Sequence, residues 1–211
     1  MRILIKSALG LGLALLCVSP ALAQQGGGGP AALLSNTGVQ KELKLDDKQI
    51  EDAKKLAADM RAKGQEARQS AQGLQGDERT KKMQEVGKQM TDEGNKGVAA
   101  ILKADQAKRF KEIQLQRRGA QSFGDAEIQT ALKLDDSQKE KLKALQSETT
   151  AKMAELRQNQ DQAERTKLTT AAREEASKKM SAVLTDAQQT AWKVMLGSPF
   201  QYKADPRPGG N

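Results

Sequence analysis

The chain has 211 residues, with 35 lysine and arginine residues against 27 aspartate and glutamate residues, one cysteine and no histidine. The lack of imidazole bases and the near-lack of thiols argue against most nucleophilic enzymes and against zinc sites. Aromatic residues make up 2% of the chain, too few for the stacking surfaces that bind single-stranded nucleic acid. We therefore expect a protein that is not an enzyme, needs no cofactor and binds no nucleic acid.

Residues 1–23 have the pattern of an export signal. Arg2 and Lys6 give a basic start ahead of an apolar stretch at residues 8–18, and the Ala-Leu-Ala sequence at residues 21–23 is a small-x-small cleavage site. The apolar stretch is shorter than the roughly 20 residues that a membrane-spanning helix needs. We expect a periplasmic or secreted protein, cleaved after residue 23, with no stable membrane insertion.

The region between the two ends is predicted to be helical throughout. Residues 24–35 contain a glycine run and are typical of a flexible linker, and residues 197–211 contain three prolines and are typical of a disordered tail. From residue 31 to residue 196 there is no proline, and the strong helix formers Ala, Lys, Gln, Glu and Leu dominate. Strand patterns are absent. The pattern predicts an all-α fold.

An internal repeat divides this helical region. Residues 39–49 match residues 128–138 at an offset of 89, whereas residues 101–106 match residues 183–188 at an offset of 82. The second copy is therefore seven residues shorter between these anchors, which is about one helical turn from each arm of a hairpin. The repeat predicts two tandem helical-hairpin units with short closing helices.

We assign unit one to residues 36–119 and unit two to residues 120–196. Apolar residues recur along each arm at alternating steps of three and four, which predicts antiparallel coiled-coil-like packing. Phe110 and Trp192 occupy equivalent positions in the two closing helices. We expect each of these aromatic residues to pack against its own hairpin.

A leucine followed four residues later by a glutamine occurs at a predicted helix start twice in each unit. This spacing is typical of a helix start, where the residue after leucine accepts a hydrogen bond and the glutamine returns one to the N-cap amide. A lysine, Lys103, stands at the N-cap of the second copy and predicts a weaker start there. The motif residues are Leu45, Asp46 and Gln49, then Leu102 and Gln106, then Leu134, Asp135 and Gln138, and finally Leu184, Thr185 and Gln188.

Two pairs of adjacent carboxylates belong to these motifs and are the obvious candidates for acid–base or metal chemistry. They are Asp46-Asp47 and Asp135-Asp136. Negative charge at a helix start complements the helix dipole, which accounts for both pairs without catalysis. We expect no catalytic and no metal-binding residue.

The motif at residues 184–188, Leu-Thr-Asp-Ala-Gln, fits the LTxxQ signature of the Spy/CpxP family of periplasmic chaperones and envelope-stress proteins. The chain resembles that family over about residues 36–196, although it carries two units rather than one and has Asp or Lys for Thr in three motif copies. The resemblance implies an ATP-independent chaperone with a concave, basic and partly apolar cradle. Family members form it as homodimers, so here a homodimer or an intrachain pseudo-dimer would form it.

The leading hypothesis is accordingly a chaperone-like binder of unfolded or partly folded envelope proteins. Methionine has a flexible side chain that suits binding to varied clients. The same flexibility also lets methionine fill the seams between packed helices, which is the structural alternative. One alternative is a structural or regulatory helical module that binds one specific envelope partner or a sensor kinase; another is a binder of acidic surfaces such as lipid head groups. The candidate client-binding residues are Met60, Met83, Met90, Met153 and Met180.

Overall fold

A computed structural model describes residues 29–205 of the chain. Every regular element in this range is helical, so the all-α prediction is confirmed. The elements are α1 (Pro30–Leu34), α2 (Thr37–Glu42), α3 (Asp47–Ser70), α4 (Gly76–Ile101), α5 (Ala104–Arg118), a 3-10 helix (Gly119–Gly124), α6 (Ala126–Ala131), α7 (Asp136–Leu156), α8 (Gln162–Ala182) and α9 (Asp186–Leu196). Over the same residues, none of the helices combines the length and apolar character needed to cross a membrane. The predicted signal peptide lies outside the described residues.

Two antiparallel helix pairs, α3 with α4 and α7 with α8, form the predicted hairpins. When the repeats are aligned, α7 ends three residues earlier than α3, and α8 begins four residues later than α4. The seven-residue difference is therefore divided between both arms, as the repeat offsets predict. Each arm is shortened by about one turn, so the two helices of unit two keep their register.

A short helix that precedes each hairpin packs against the hairpin base. In unit one α1 packs against α3 and α4, and in unit two the 3-10 helix packs against α7 and α8. The sequences of α1 and the 3-10 helix are 89 residues apart, the same offset that relates residues 39–49 to residues 128–138. The prediction of a flexible linker is therefore wrong for residues 30–34, since Leu33 and Leu34 are buried and Pro30 occupies the first helical position, where proline is favourable.

Each unit has its own core at the base of its hairpin. Phe110 of α5 is buried in the unit-one core, and Trp192 of α9 is buried in the unit-two core, as their equivalent positions predict. Trp192 meets the fully buried Phe123 edge to face, with ring centroids 4.9 Å apart. Leu115, near the end of α5, belongs to the unit-two core. The closing helix of unit one therefore also helps to build unit two.

The described part of the predicted disordered tail, residues 197–205, packs on unit one. Phe200 and Tyr202 contact the unit-one core, and the Asn36 side chain donates a hydrogen bond to the Lys203 carbonyl oxygen. The prediction of disorder is therefore wrong for this stretch. Its proline and glycine content suggested disorder, but two of the chain's few aromatic residues provide apolar area for docking.

Two lysines end short helices in the left-handed conformation. Lys44 follows α2 with φ 51° and Lys133 follows α6 with φ 52°. In both, the amide three residues after the last helical residue donates back to a carbonyl five residues earlier, from Leu45 to Gln40 and from Leu134 to Gln129. This is the Schellman arrangement, in which glycine is the favoured residue.

Replacing Lys44 or Lys133 with glycine should therefore stabilise the protein. The left-handed strain is relieved, but the unfolded chain gains freedom, so we expect a net gain of about 0.5–1 kcal/mol for each substitution. Urea unfolding followed by circular dichroism measures this change. As a control, Lys54→Gly in the exposed interior of α3 should destabilise by about 1 kcal/mol. A loss of stability in Lys44→Gly comparable to that control would contradict the assignment of strain.

Candidate functional site

The two motif glutamines of unit one meet side chain to side chain at the base of the hairpin. The Gln49 amide nitrogen donates to the Gln106 Oε1 atom at 2.7 Å, and the Gln106 amide nitrogen donates to the Gln49 Oε1 atom at 3.1 Å. Each nitrogen also donates to a backbone carbonyl, from Gln49 to Ile101 at 2.7 Å and from Gln106 to Leu43 at 3.1 Å. We call this reciprocal pair the unit-one clasp.

Unit two repeats the arrangement with Gln138 and Gln188, which we call the unit-two clasp. The two amide–amide hydrogen bonds are 2.7 Å and 3.0 Å long. Gln138 also donates to the Val183 carbonyl at 2.9 Å, and Gln188 donates to the Lys133 carbonyl at 3.4 Å. The four motif copies therefore act in pairs, and each pair joins the start of a hairpin to the start of its closing helix.

The same glutamines complete the predicted helix caps. Each Oε1 atom accepts a hydrogen bond from the N-cap amide of its own helix, at 3.2 Å from Asp46, 2.9 Å from Lys103, 3.1 Å from Asp135 and 2.9 Å from Thr185. The side chains of Asp46, Asp135 and Thr185 accept the return bond, so these three capping boxes are confirmed. A lysine ammonium cannot accept, so the cap at Lys103 is half formed, as predicted.

The Lys103 side chain, which cannot complete its own cap, forms an exposed ion pair instead. The Lys103 ammonium nitrogen lies 3.5 Å from an oxygen of Asp46, the N-cap residue of the partner motif. The hydrogen bond from the Gln49 backbone amide, assisted by the Lys103 charge, holds the pKa of the Asp46 carboxyl below its usual range. The ionised carboxylate is therefore the form that the folded protein favours.

This depressed pKa makes part of the stability dependent on pH. The contribution is present above the ordinary aspartate pKa of about 3.9 and is lost as the pH falls through the lower pKa of the folded state. In an NMR titration of the Asp46 carboxyl carbon, we expect a midpoint below 3.9. Lys103→Met should raise this midpoint only part of the way, because the Gln49 amide is the larger cause. A midpoint at or above 3.9 in the unmodified protein would refute this account.

The motif leucines pack beneath the clasps. Leu134 and Leu184 are buried in the unit-two core, and Leu45 and Leu102 are half-buried against the unit-one core. The clasp amides use all their donors and acceptors on one another and on backbone groups. Among residues 29–205 no group of three or more acidic, cysteine or histidine side chains lies close enough to hold a metal ion. The arrangement is therefore suited to holding helices together, with no amide group left for a ligand.

The hairpin arms beyond the bases are a second kind of surface. Between Leu142 and Met180 of unit two no residue is buried, and between Ala57 and Val98 of unit one burial is confined to Ala71 and Gly94. Each arm pair is therefore two helices with no third layer covering their apolar seam. Apolar side chains on the arms therefore remain partly accessible to solvent.

The five candidate methionines are distributed unequally between core and surface. Met180 is 2% exposed in the unit-two core, so its proposed role in client binding is wrong: it lies at the hairpin base, where a third helix covers it. Met60, Met90 and Met153 are half-buried in the arm seams. Met83 is 38% exposed, and Leu168 on α8 has the same exposure.

Met90 also fills space between the two helices of its arm pair. A β-carbon built on Gly64 would lie 3.1 Å from its terminal methyl group, so the glycine makes room for the methionine. The aligned positions in unit two are Met153 on α7 and Ala172 on α8, with the large and small residues exchanged between helices. Part of the methionine content of the arms is therefore packing rather than free surface.

No protein-family model, curated protein or solved structure matches the chain.

Proposed function

We propose that the protein is an exported, ATP-independent chaperone that binds unfolded or partly folded envelope proteins along its hairpin arms. The observation that carries the proposal is the apolar seam of each arm pair, which no third layer covers. Met83 and Leu168 are its most exposed large residues. The fit of residues 184–188 to the LTxxQ signature and the predicted export signal support the same proposal.

The chemistry of the arms suits weak binding to many sequences. Covering one methionine or leucine side chain contributes about 1.5–3 kcal/mol at most, so a few such contacts hold a client reversibly without nucleotide hydrolysis. Lysine and glutamate side chains of the two helices pair across each seam, at Lys63–Glu93 and Lys179–Glu148. These exposed pairs exchange partners at little cost, which lets the surface adapt to clients of either charge.

An aggregation assay tests the proposal. Light scattering of a chemically denatured client should be suppressed by a stoichiometric amount of the protein without ATP. Met83→Gln combined with Leu168→Gln should remove at least half of that suppression, because both changes place polar groups on the seams.

The matched control is Val194→Gln, which changes an apolar residue that is 76% exposed on α9, away from the arms. This variant should suppress aggregation to the same extent as the unmodified protein does. No suppression by the unmodified protein would overturn the proposal, and a single tight partner in pull-downs would then favour the specific-partner module.

A further inference from the structure

The end of the described chain is an extended segment that returns from unit two to unit one. The turn after α9 is made by Gly197 at φ +61°. A β-carbon at this position would overlap the carboxylate of Glu112 on α5, so a larger residue would have to displace that side chain as well as adopt a positive φ. Residues 198–205, which we call the tail, then run between the start of α2 and the end of α5.

Side chains of unit one bind the main chain of the tail. The Phe200 backbone amide donates to the Gln116 Oε1 atom at 2.8 Å, and the Gln116 amide nitrogen donates to the Ser198 carbonyl at 2.8 Å. The Asn36 amide nitrogen donates to the Lys203 carbonyl at 2.9 Å. These contacts use backbone groups that any extended peptide offers.

The side chains of the tail add an aromatic preference. Phe200 and Tyr202 are two residues apart, so in an extended chain they point to the same side, and both pack against the unit-one core. The Phe200 ring lies beside Gly38, where an added β-carbon would be 3.8 Å from its outermost carbon. The Arg117 guanidinium carbon lies 4.1 Å from the centre of the Tyr202 ring, a cation–π contact.

The corresponding surface of unit two is built differently. Asp125 and Glu127 take the places of Asn36 and Gly38, and their carboxylates pair with Arg118 at the end of α5 and with Lys111 in its middle. In unit two, ion pairs with α5 therefore close this surface. In unit one the Asn36 amide and the space beside Gly38 face the tail instead. The Thr37 backbone amide also donates to the Asp205 carboxylate of the tail at 3.1 Å.

Asn36 shows how closely the groove is adapted to a peptide. Its buried side chain uses its oxygen to accept from the Val39 amide at the start of α2, and its nitrogen to bind the tail. An aspartate could also accept from the Val39 amide but could not donate to a carbonyl. The choice of asparagine over aspartate is therefore explained by the peptide contact.

We propose that the surface formed by Asn36, Gly38, Gln116 and Arg117, the tail groove, is a binding site for extended polypeptide segments with aromatic residues at positions i and i+2, and that the tail occupies it as an internal competitor. This inference rests on the proposed function, because non-native proteins expose such segments. It adds a second client contact, at the base of unit one, that the tail controls.

Peptide binding in trans tests the tail groove. The full chain carrying Phe200→Ala and Tyr202→Ala should bind a fluorescein-labelled peptide of residues 198–205, measured by fluorescence anisotropy. We expect the unmodified chain to bind this peptide at least ten-fold more weakly, because its own tail competes. A peptide with both aromatic residues replaced by alanine should also bind at least ten-fold more weakly.

Two further variants test the role of Asn36. The chain that carries Phe200→Ala and Tyr202→Ala is called the released-tail chain. Adding Asn36→Asp to it should weaken peptide binding about five- to ten-fold while keeping the α2 cap. The control Asp135→Asn makes the reverse exchange at a unit-two cap that the tail does not contact, and it should leave peptide binding unchanged.

If the released-tail chain does not fold, displacement of the tail by added peptide can be measured on the unmodified protein. Excess peptide should accelerate hydrogen exchange in residues 198–205, and the alanine peptide should not. Absence of both binding and displacement, or equal effects of the two peptides, would overturn the tail groove. Peptide binding without any suppression of aggregation would uphold the groove and overturn the chaperone function, and suppression without peptide binding would do the opposite.

Discussion

Replacing Phe123 with alanine should lower the free energy of unfolding by about 3–5 kcal/mol, the usual cost of removing a fully buried aromatic side chain. Phe123 is 0% exposed, it meets Trp192 edge to face, and it sits where the 3-10 helix closes the unit-two hairpin. The cavity left by the substitution would lie between elements of both units, because Leu115 of α5 belongs to the same core. Urea unfolding followed by circular dichroism measures the loss.

The matched control for this core substitution is Val194→Ala. Val194 is an apolar residue of the same unit, but its side chain is mostly in solvent. We expect its unfolding free energy to change by no more than about 0.5 kcal/mol. If Phe123→Ala cost as little as this control, the position of the unit-two core at the hairpin base would be wrong.

Breaking one clasp should have the second largest effect. In Gln138→Ala, the Gln188 side chain and the Val183 carbonyl lose their partners at a half-buried site, which should cost about 2–3 kcal/mol. Gln188→Ala should cost a similar amount. Both changes remove the same reciprocal pair. The double variant should therefore lose about 1–2 kcal/mol less free energy of unfolding than the sum of the two single losses.

An exposed glutamine provides the comparison for the clasp variants. Gln65→Ala on α3 should leave the unfolding free energy almost unchanged. Strictly additive effects of Gln138→Ala and Gln188→Ala would show that each glutamine acts only in its own helix cap. The clasp would then have no energetic basis.

The local features of the fold could be predicted from the sequence because their causes are local. The cap at Asp135 depends on residues three positions apart, and the seven-residue difference between units is visible in the repeat offsets. The pairing of Gln138 with Gln188 spans 50 residues and could not be predicted from helix-start spacing. Its one available signal was that both glutamines of a unit share a motif at the two ends of the same hairpin.

Composition misled the prediction at both ends of the helical region. Pro30 and the preceding glycines suggested a linker, but the apolar residues that follow close the base of unit one. In the tail, Pro199 suggested disorder, but Phe200 and Tyr202 dock on the core. In both segments a few apolar side chains pack on a surface of unit one. Residues distant in the sequence form that surface, so local composition could not reveal it.

The methionines show a different limit of periodicity. Met83 and Met180 both lie on the apolar seam of a helix, and the sequence pattern does not distinguish them. Met180 is buried because α9 and the 3-10 helix surround the hairpin base, and Met83 is exposed because nothing covers the arm. Exposure therefore depends on the number of packed layers, which is a property of the whole fold.

Site-specific photo-crosslinking tests most directly whether the uncovered arm seams hold non-native proteins. A photoreactive phenylalanine analogue replaces Met83, Leu168 or, as the control, Val194, and each chain is illuminated with a denatured client and with the same client in its native state. We predict covalent adducts at positions 83 and 168 with the denatured client only, and none at position 194. Absence of adducts at both arm positions, or equal labelling at position 194, would contradict the account.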